Sequence, residues 1–260
     1  MSDTGSRVNS RQTGEGDFWP DEDKPATSRT KLFVAIGAAI AVLVIAGAGA
    51  VFLLGGSSGG GAVASAKDSP TPTLYTPSIA AAGTGKLDKR ADDRRALNDG
   101  EVFGDSQTVK YGKYTFTLAA RQVSPDCATA AWGEKLLADL KSFACSQIVR
   151  GAYLSQDQQY SGQFIAVNLV SADGAQQIIR DLDPQTSSGF IKPLPGAGIK
   201  NFGAAFSAAY AQPYGHYAVV AWVQRNGGVR PDSLNEMIDT SLAVEKPSDF
   251  IWERLLLVGG

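Results

Sequence analysis

Histidine occurs once in the 260 residues, at His216, and cysteine twice, at Cys127 and Cys145. One imidazole without a second histidine or a spare thiol cannot assemble the usual zinc ligand set. No serine or cysteine stands in a recognisable setting with it as a nucleophile with its base. Phosphate-cradling glycine loops are missing too: Gly196-Ala197-Gly198 lacks a third glycine and follows no clear strand. Gly56-Ser57-Ser58-Gly59-Gly60 spells a nucleophile elbow, but it has neither the strand before it nor the helix after it that the motif needs. The pairs Asp92-Asp93 and Asp181/Asp183 sit among polar residues and read as solvated surface, not as a glycosidase pair. Basic runs are absent, and the net charge is −2, which points away from nucleic acid. The expectation is a protein with no catalytic residue, no metal ligand and no cofactor.

One stretch lacks charge altogether. Leu32–Leu54, LFVAIGAAIAVLVIAGAGAVFLL, has no charged, amide or proline residue. Crossing the ~30 Å hydrocarbon core as a helix takes about 20 apolar residues, and a lone segment satisfies its backbone in lipid only as a helix. The run reads as a single transmembrane span, with the lipid bilayer as its partner through residues 32–54. Arg29 and Lys31 abut it on the N-terminal side, whereas no charge follows until Lys67. The positive-inside rule then puts the N-terminus in the cytoplasm and the larger C-terminal part outside the cell membrane. Ala64-Ser65-Ala66 resembles a signal-peptide cleavage site, but it lies well past the run, which is itself longer than a signal peptide's apolar core.

The remainder divides by composition. Residues 1–31 are polar and read as a disordered cytoplasmic tail; Phe18-Trp19-Pro20 before Asp21-Glu22-Asp23 is either a docking motif or an idle aromatic island. Residues 55–100 read as a linker rich in Gly, Ser and Pro followed by a charged stalk, KLDKRADDRRALND. Residues 101–260 are long enough for one domain with a real core.

Within that domain Val109–Leu118, Ile148–Ser155, Gln163–Val170, Phe206–Gln212 and Tyr217–Gln224 read as strands. Ala130–Leu140 capped by Thr129, Ala172–Leu182 capped by Ser171, the stretch from Pro231 through Ala243, and Phe250–Val258 read as helices. The expected fold is α+β: an antiparallel sheet with helices packed on one face, a ferredoxin-like relative, with a strand–strand–helix unit that occurs twice, either as a degenerate duplication or as the same α+β grammar used again. Two cysteines outside the membrane favour a Cys127–Cys145 disulfide, with two buried free thiols as the alternative. A bridge needs Cα atoms about 4.4–6.8 Å apart, so the intervening helix must be short, about 11 residues or fewer, with Phe143 tucked under the returning chain. The passage Pro184–Phe202 is long for an unstructured connection. It is either a ligand loop presenting Phe190, Ile191, Lys192 and Lys200 or a cover for the core.

The segment Cys127-x4-Trp132-Gly133, Cys145-x-Gln147 and Arg150-x-x-Tyr153 resembles a group of single-pass envelope proteins of high-GC Gram-positive bacteria (actinobacteria) with an extracytoplasmic α+β domain. The likeness covers roughly residues 100–245, and the membrane layout agrees with it. It implies paired cysteines and a place in the cell envelope, and it brings no activity with it. The function expected is an extracytoplasmic binding or sensing domain for an envelope protein or a cell-wall ligand. Its rivals are an assembly protein that recruits envelope partners and an envelope hydrolase.

Overall fold

The computed structural model describes residues 70–258. The apolar run 32–54, the tail before it and the first part of the linker lie outside the described residues. Among the described residues no helix is long and apolar enough to cross a membrane.

Nine strands and six α-helices are described: β1 (Leu74–Pro77), α1 (Asp99–Phe103), β2 (Thr108–Tyr111), β3 (Tyr114–Ser124), α2 (Cys127–Ala130), β4 (Ala131–Trp132), α3 (Glu134–Ser142), β5 (Gln147–Ser155), β6 (Tyr160–Asn168), α4 (Ala172–Asp181), β7 (Phe190–Ile191), β8 (Ser207–Tyr214), β9 (Tyr217–Arg225), α5 (Leu234–Val244) and α6 (Phe250–Leu257). Seven strands form one sheet in the order β1-β8-β9-β6-β5-β3-β2, and β4 pairs with β7 in a small second sheet. Every neighbour in the large sheet is antiparallel except β1, which runs parallel to β8. The fold is therefore α+β with a mixed sheet. Strands β6 and β8 run parallel to each other with β9 between them, and α4 lies on the chain that joins them.

Helices cover both faces of the sheet, not one. Phe116, Val149, Tyr153, Phe164, Val219 and Val223 point to a core closed by α5 and α6; Ile148, Ile165, Val167, Val220 and Trp222 point to a second core closed by α3 and α4. Two-sided burial accounts for the near-continuous apolar runs of β6 and β9, FIAV and YAVVAWV, where a sheet wet on one face would alternate. It also rules out a rotational duplication. A rotation carrying β5-β6-α4 onto β8-β9-α5 reverses the antiparallel pair β6/β9 about an axis normal to the sheet and keeps both helices on one face. Here α4 and α5 lie on opposite faces.

Local chemistry explains where elements stop. The stretch 109–118 is not one strand but a hairpin turned at Gly112, which has φ 53°. A bulge between Leu118 and Ala120 then switches which side chains of β3 face each core. The helix expected at 130–140 is two pieces. Asp126, not Thr129, caps the single turn α2 by accepting from Ala128 N at 3.0 Å. The chain then extends through β4 and restarts after Gly133, whose φ of 99° suits only glycine. Ser171 and Ser233 cap α4 and α5, accepting from Gly174 N and Glu236 N.

Residues 70–100 are not linker and stalk but part of the domain. The proline-rich LYTP is β1, and its Tyr75 hydroxyl donates to Ile179 O at 2.6 Å. The charged stretch that follows crosses one end of the sheet as an extended strap, with Leu87 and Leu97 buried.

Candidate functional site

Cys127 and Cys145 form a disulfide with Cα atoms 6.3 Å apart, and no free cysteine is present among the described residues. Helix α3, Glu134–Ser142, fits inside the closed loop, and Phe143 packs partly buried beneath the return, against Gly174 of α4. An open groove of about 510 Å³ runs along this bridge. Its floor is apolar, made by the buried Cys127 and Leu140 with the half-buried Leu137 and Cys145 beside them, and the exposed Pro125, Asp126 and Lys141 line it further out.

The loop expected to hold a ligand is divided between core and surface. Phe190 and Ile191 are fully buried as β7, paired with β4. Phe190 meets the rings of Trp222 and Tyr75 edge-on at 5.0 and 6.3 Å, and Phe202 meets Trp222 at 4.8 Å. The reason is hydrophobic: one face of the sheet near Trp222 is left open by α3 and α4, and these side chains cover it. The backbones of Gly133 and Gly189 touch so closely that a Cβ on either would collide with the other strand's main chain.

Beyond β7 three amide side chains hold the loop as a sheet partner would. Gln163 receives from Leu194 N at 2.9 Å and donates to Leu194 O at 3.0 Å. Gln224 receives from Gly203 N and donates to Lys200 O. Asn226 receives from Lys200 N and donates to Gly198 O. Main-chain groups of the loop, half-buried at Leu194 and Gly203 and exposed at Gly198 and Lys200, are thereby bonded without a strand. Lys192 and Lys200 are both exposed but belong to different places: Lys192 Nζ donates to Thr129 O at 3.2 Å, whereas Lys200 lies against Asn226. The four residues make no common surface.

Beneath Lys192 lies a buried arginine. Arg150 donates to Lys192 O at 2.8 Å, to Gln122 Oε1 and to Ser124 Oγ, and no carboxylate among the described residues is bonded to it. Burial pulls its guanidinium below the usual arginine value. Its Nε is sealed from solvent without an acceptor. It ties the loop to β3 and β5.

Two further charged clusters reach the interior, whereas pairs such as Arg121–Asp99 and Arg225–Asp232 lie at the surface. Asp93 and Asp181, expected to be solvated, are buried. Asp181 accepts from Lys135 and Gln177 between α3 and α4, and burial raises its carboxyl; a hydrogen bond shared with Asp139 raises it further, against the pull of Lys135. Asp93 belongs to a network centred on the fully buried Arg254. That guanidinium donates to both oxygens of Glu101 at 2.7 and 2.6 Å, to Asp93 at 2.9 Å and to the carbonyls of Arg95 and Ala96. Tyr217 donates to Asp93 at 2.6 Å. Burial alone would lower Arg254; hydrogen bonding to Glu101 and Asp93 outweighs it and keeps the group charged. The network pins the strap to β9 and α6, and every member has a structural partner. Its sequence trace was the charge-dense stretch 86–99, which composition alone assigns to solvent.

Compared with known protein families, with curated proteins and with solved structures, the chain has no match. Among the described residues no group of three or more His, Cys, Asp or Glu could hold a metal ion.

Proposed function

We propose that the chain is a membrane-anchored, extracytoplasmic binding or sensing domain of the bacterial cell envelope, without catalytic chemistry of its own, and that it takes a polypeptide segment in the groove beside the disulfide. The observation that carries this reading is the groove itself. The bridge at its floor belongs to an oxidising compartment, which agrees with the outward side of a span at 32–54. Its openness, apolar floor and oppositely charged rim residues, Asp126 and Lys141, suit an extended or helical segment of a neighbouring envelope protein better than an enclosed small molecule. The same layout agrees with the likeness to single-pass actinobacterial envelope proteins. The β6–α4–β8 unit with β9 between its strands is what supports a ferredoxin-like relationship.

The test is photocrosslinking of the full-length chain in its own membranes from Ala138, exposed on the groove wall, against Lys110, exposed on β2. A discrete product from position 138 only, lost in Leu137→Glu, supports the reading. The same products from both positions, or none from either, overturn it.

A further inference from the structure

The single histidine sits where the strap crosses the sheet. His216 belongs to the β8–β9 turn and is fully buried. Its backbone N–H donates to Leu87 O at 2.8 Å, and its Nδ1 lies 2.6 Å from the same carbonyl. With a carbonyl as partner, Nδ1 carries the proton and Nε2 is the bare acceptor. Nε2 is buried with no hydrogen-bond partner among the described residues. The ring lies over Tyr217 at 4.0 Å. Gly215, at φ 55°, brings the turn so close that a Cβ there would strike the Leu87 carbonyl.

Protonation changes this contact in a defined way. The imidazolium carries a second N–H at Nε2, and in the closed structure that donor has nowhere to go. It also places a second buried cation near Arg254 of α6, with Arg90 of the strap adding to the repulsion and Asp93 of the strap opposing it. A buried donor without a partner disfavours the closed state, and more so when it is charged. The strap on the other side of the contact is held mainly by polar bonds, among them those of Arg254 to Asp93 and to the Arg95 and Ala96 carbonyls, with Leu87 and Leu97 as its apolar anchors. Leu97 N and O bond Gln147, Arg90 N donates to Val170 O at 3.1 Å, and Ala172 N donates to Asp88 O at 2.8 Å.

We infer that His216 is an acid-operated latch: its protonation releases the strap, residues 85–97, from the sheet while the rest of the domain stays folded. The inference needs only the domain and does not rest on the proposed groove. Burial supports the direction, since it holds His216 below the ordinary histidine value. A group depressed in the closed state favours closure when neutral. Closure is therefore complete above the open-state value of roughly 6.5 and is lost as pH falls from there to the closed-state value, by up to about tenfold per pH unit for one proton.

Hydrogen exchange of the full-length chain in lipid nanodiscs tests it, between pH 7.5 and 5 and corrected for intrinsic exchange rates. Peptides covering 85–97 should open about tenfold or more on acidification, while β6 keeps its protection. His216→Asn, which can still donate to Leu87 O but does not titrate, should flatten that dependence. Strap exchange that is independent of pH, or an increase shared equally by β6, overturns the latch. If H216N does not fold, the His216 ring protons of the wild-type chain decide. A titration midpoint that coincides with strap opening supports the inference, and a midpoint offset from it overturns the inference.

Discussion

Arg254 shows most plainly how single side chains hold this domain together. It is fully buried and meets Glu101 and Asp93 together. Breaking a buried ion network by removing one partner typically costs about 3–5 kcal/mol, because the other charges stay behind. Arg254→Met should lower stability by that order in urea unfolding, and removing Glu101 as well should restore part of it, as a double-mutant cycle would show. Glu245 carries the opposite kind of burden. It accepts from Tyr214 at 2.8 Å, and burial raises its carboxyl above the ordinary glutamate value. A raised carboxyl favours the folded state when protonated, so its stability contribution falls as pH climbs from the unfolded value of about 4.3 to the raised folded one. Glu245→Gln should therefore gain stability over the wild type across that window and match it at lower pH, measured by unfolding midpoints at stepped pH. Neither role was legible beforehand. A run such as KLDKRADDRRALND looks solvated until the partner at position 254 is brought beside it, and no local pattern connects them.

At the level of elements the legible parts were those with a local cause. Strands β5, β6, β8 and β9 and helices α4 and α5 follow from periodicity, and Ser171 caps α4 as expected; α5 starts at Leu234 under a Ser233 cap and not at Pro231. The short helix inside the disulfide loop followed from covalent reach alone. The loop 184–206 was not legible, because what holds it is three amide side chains on β6, β9 and the turn beyond, far away in sequence. Its fate also reverses an obvious expectation for a ligand loop. Phe190→Ala should destabilise by about 3–5 kcal/mol, the usual cost of emptying an aromatic site in a core. Replacing 190–200 by a Gly/Ser link should abolish cooperative thermal unfolding; a sharp transition near the wild-type midpoint would show that Phe190 and Ile191 are dispensable. Replacing both cysteines by alanine should cost roughly 3 kcal/mol in the chain-entropy view of a loop this size. Hydrogen exchange should also show 188–192 opening first, since Lys192 N and Nζ are bonded to Ala130 O and Thr129 O inside that loop.

For the whole molecule, the helices on both faces leave β6 and β9 almost entirely buried, and the sheet's ends are managed by short strands: four residues of β1 and four of β2. The continuous apolar run of β9 already carried the two-faced burial, although a hairpin with one wet face was the simpler reading. Strand β1, at the parallel edge of the sheet, is the first described strand, and the chain runs from it into the strap that His216 and Arg254 hold. On the proposed topology, anything that loosens the strap alters the part of the domain nearest its anchor in sequence. The proposed function rests on the C-terminal domain lying outside the cell membrane. Alkaline phosphatase, active only where its own disulfides form, reports that directly when fused to the full-length chain. Fusion after Gly260 should be active and fusion before Lys31 inactive; activity before Lys31 with none after Gly260 would contradict the account.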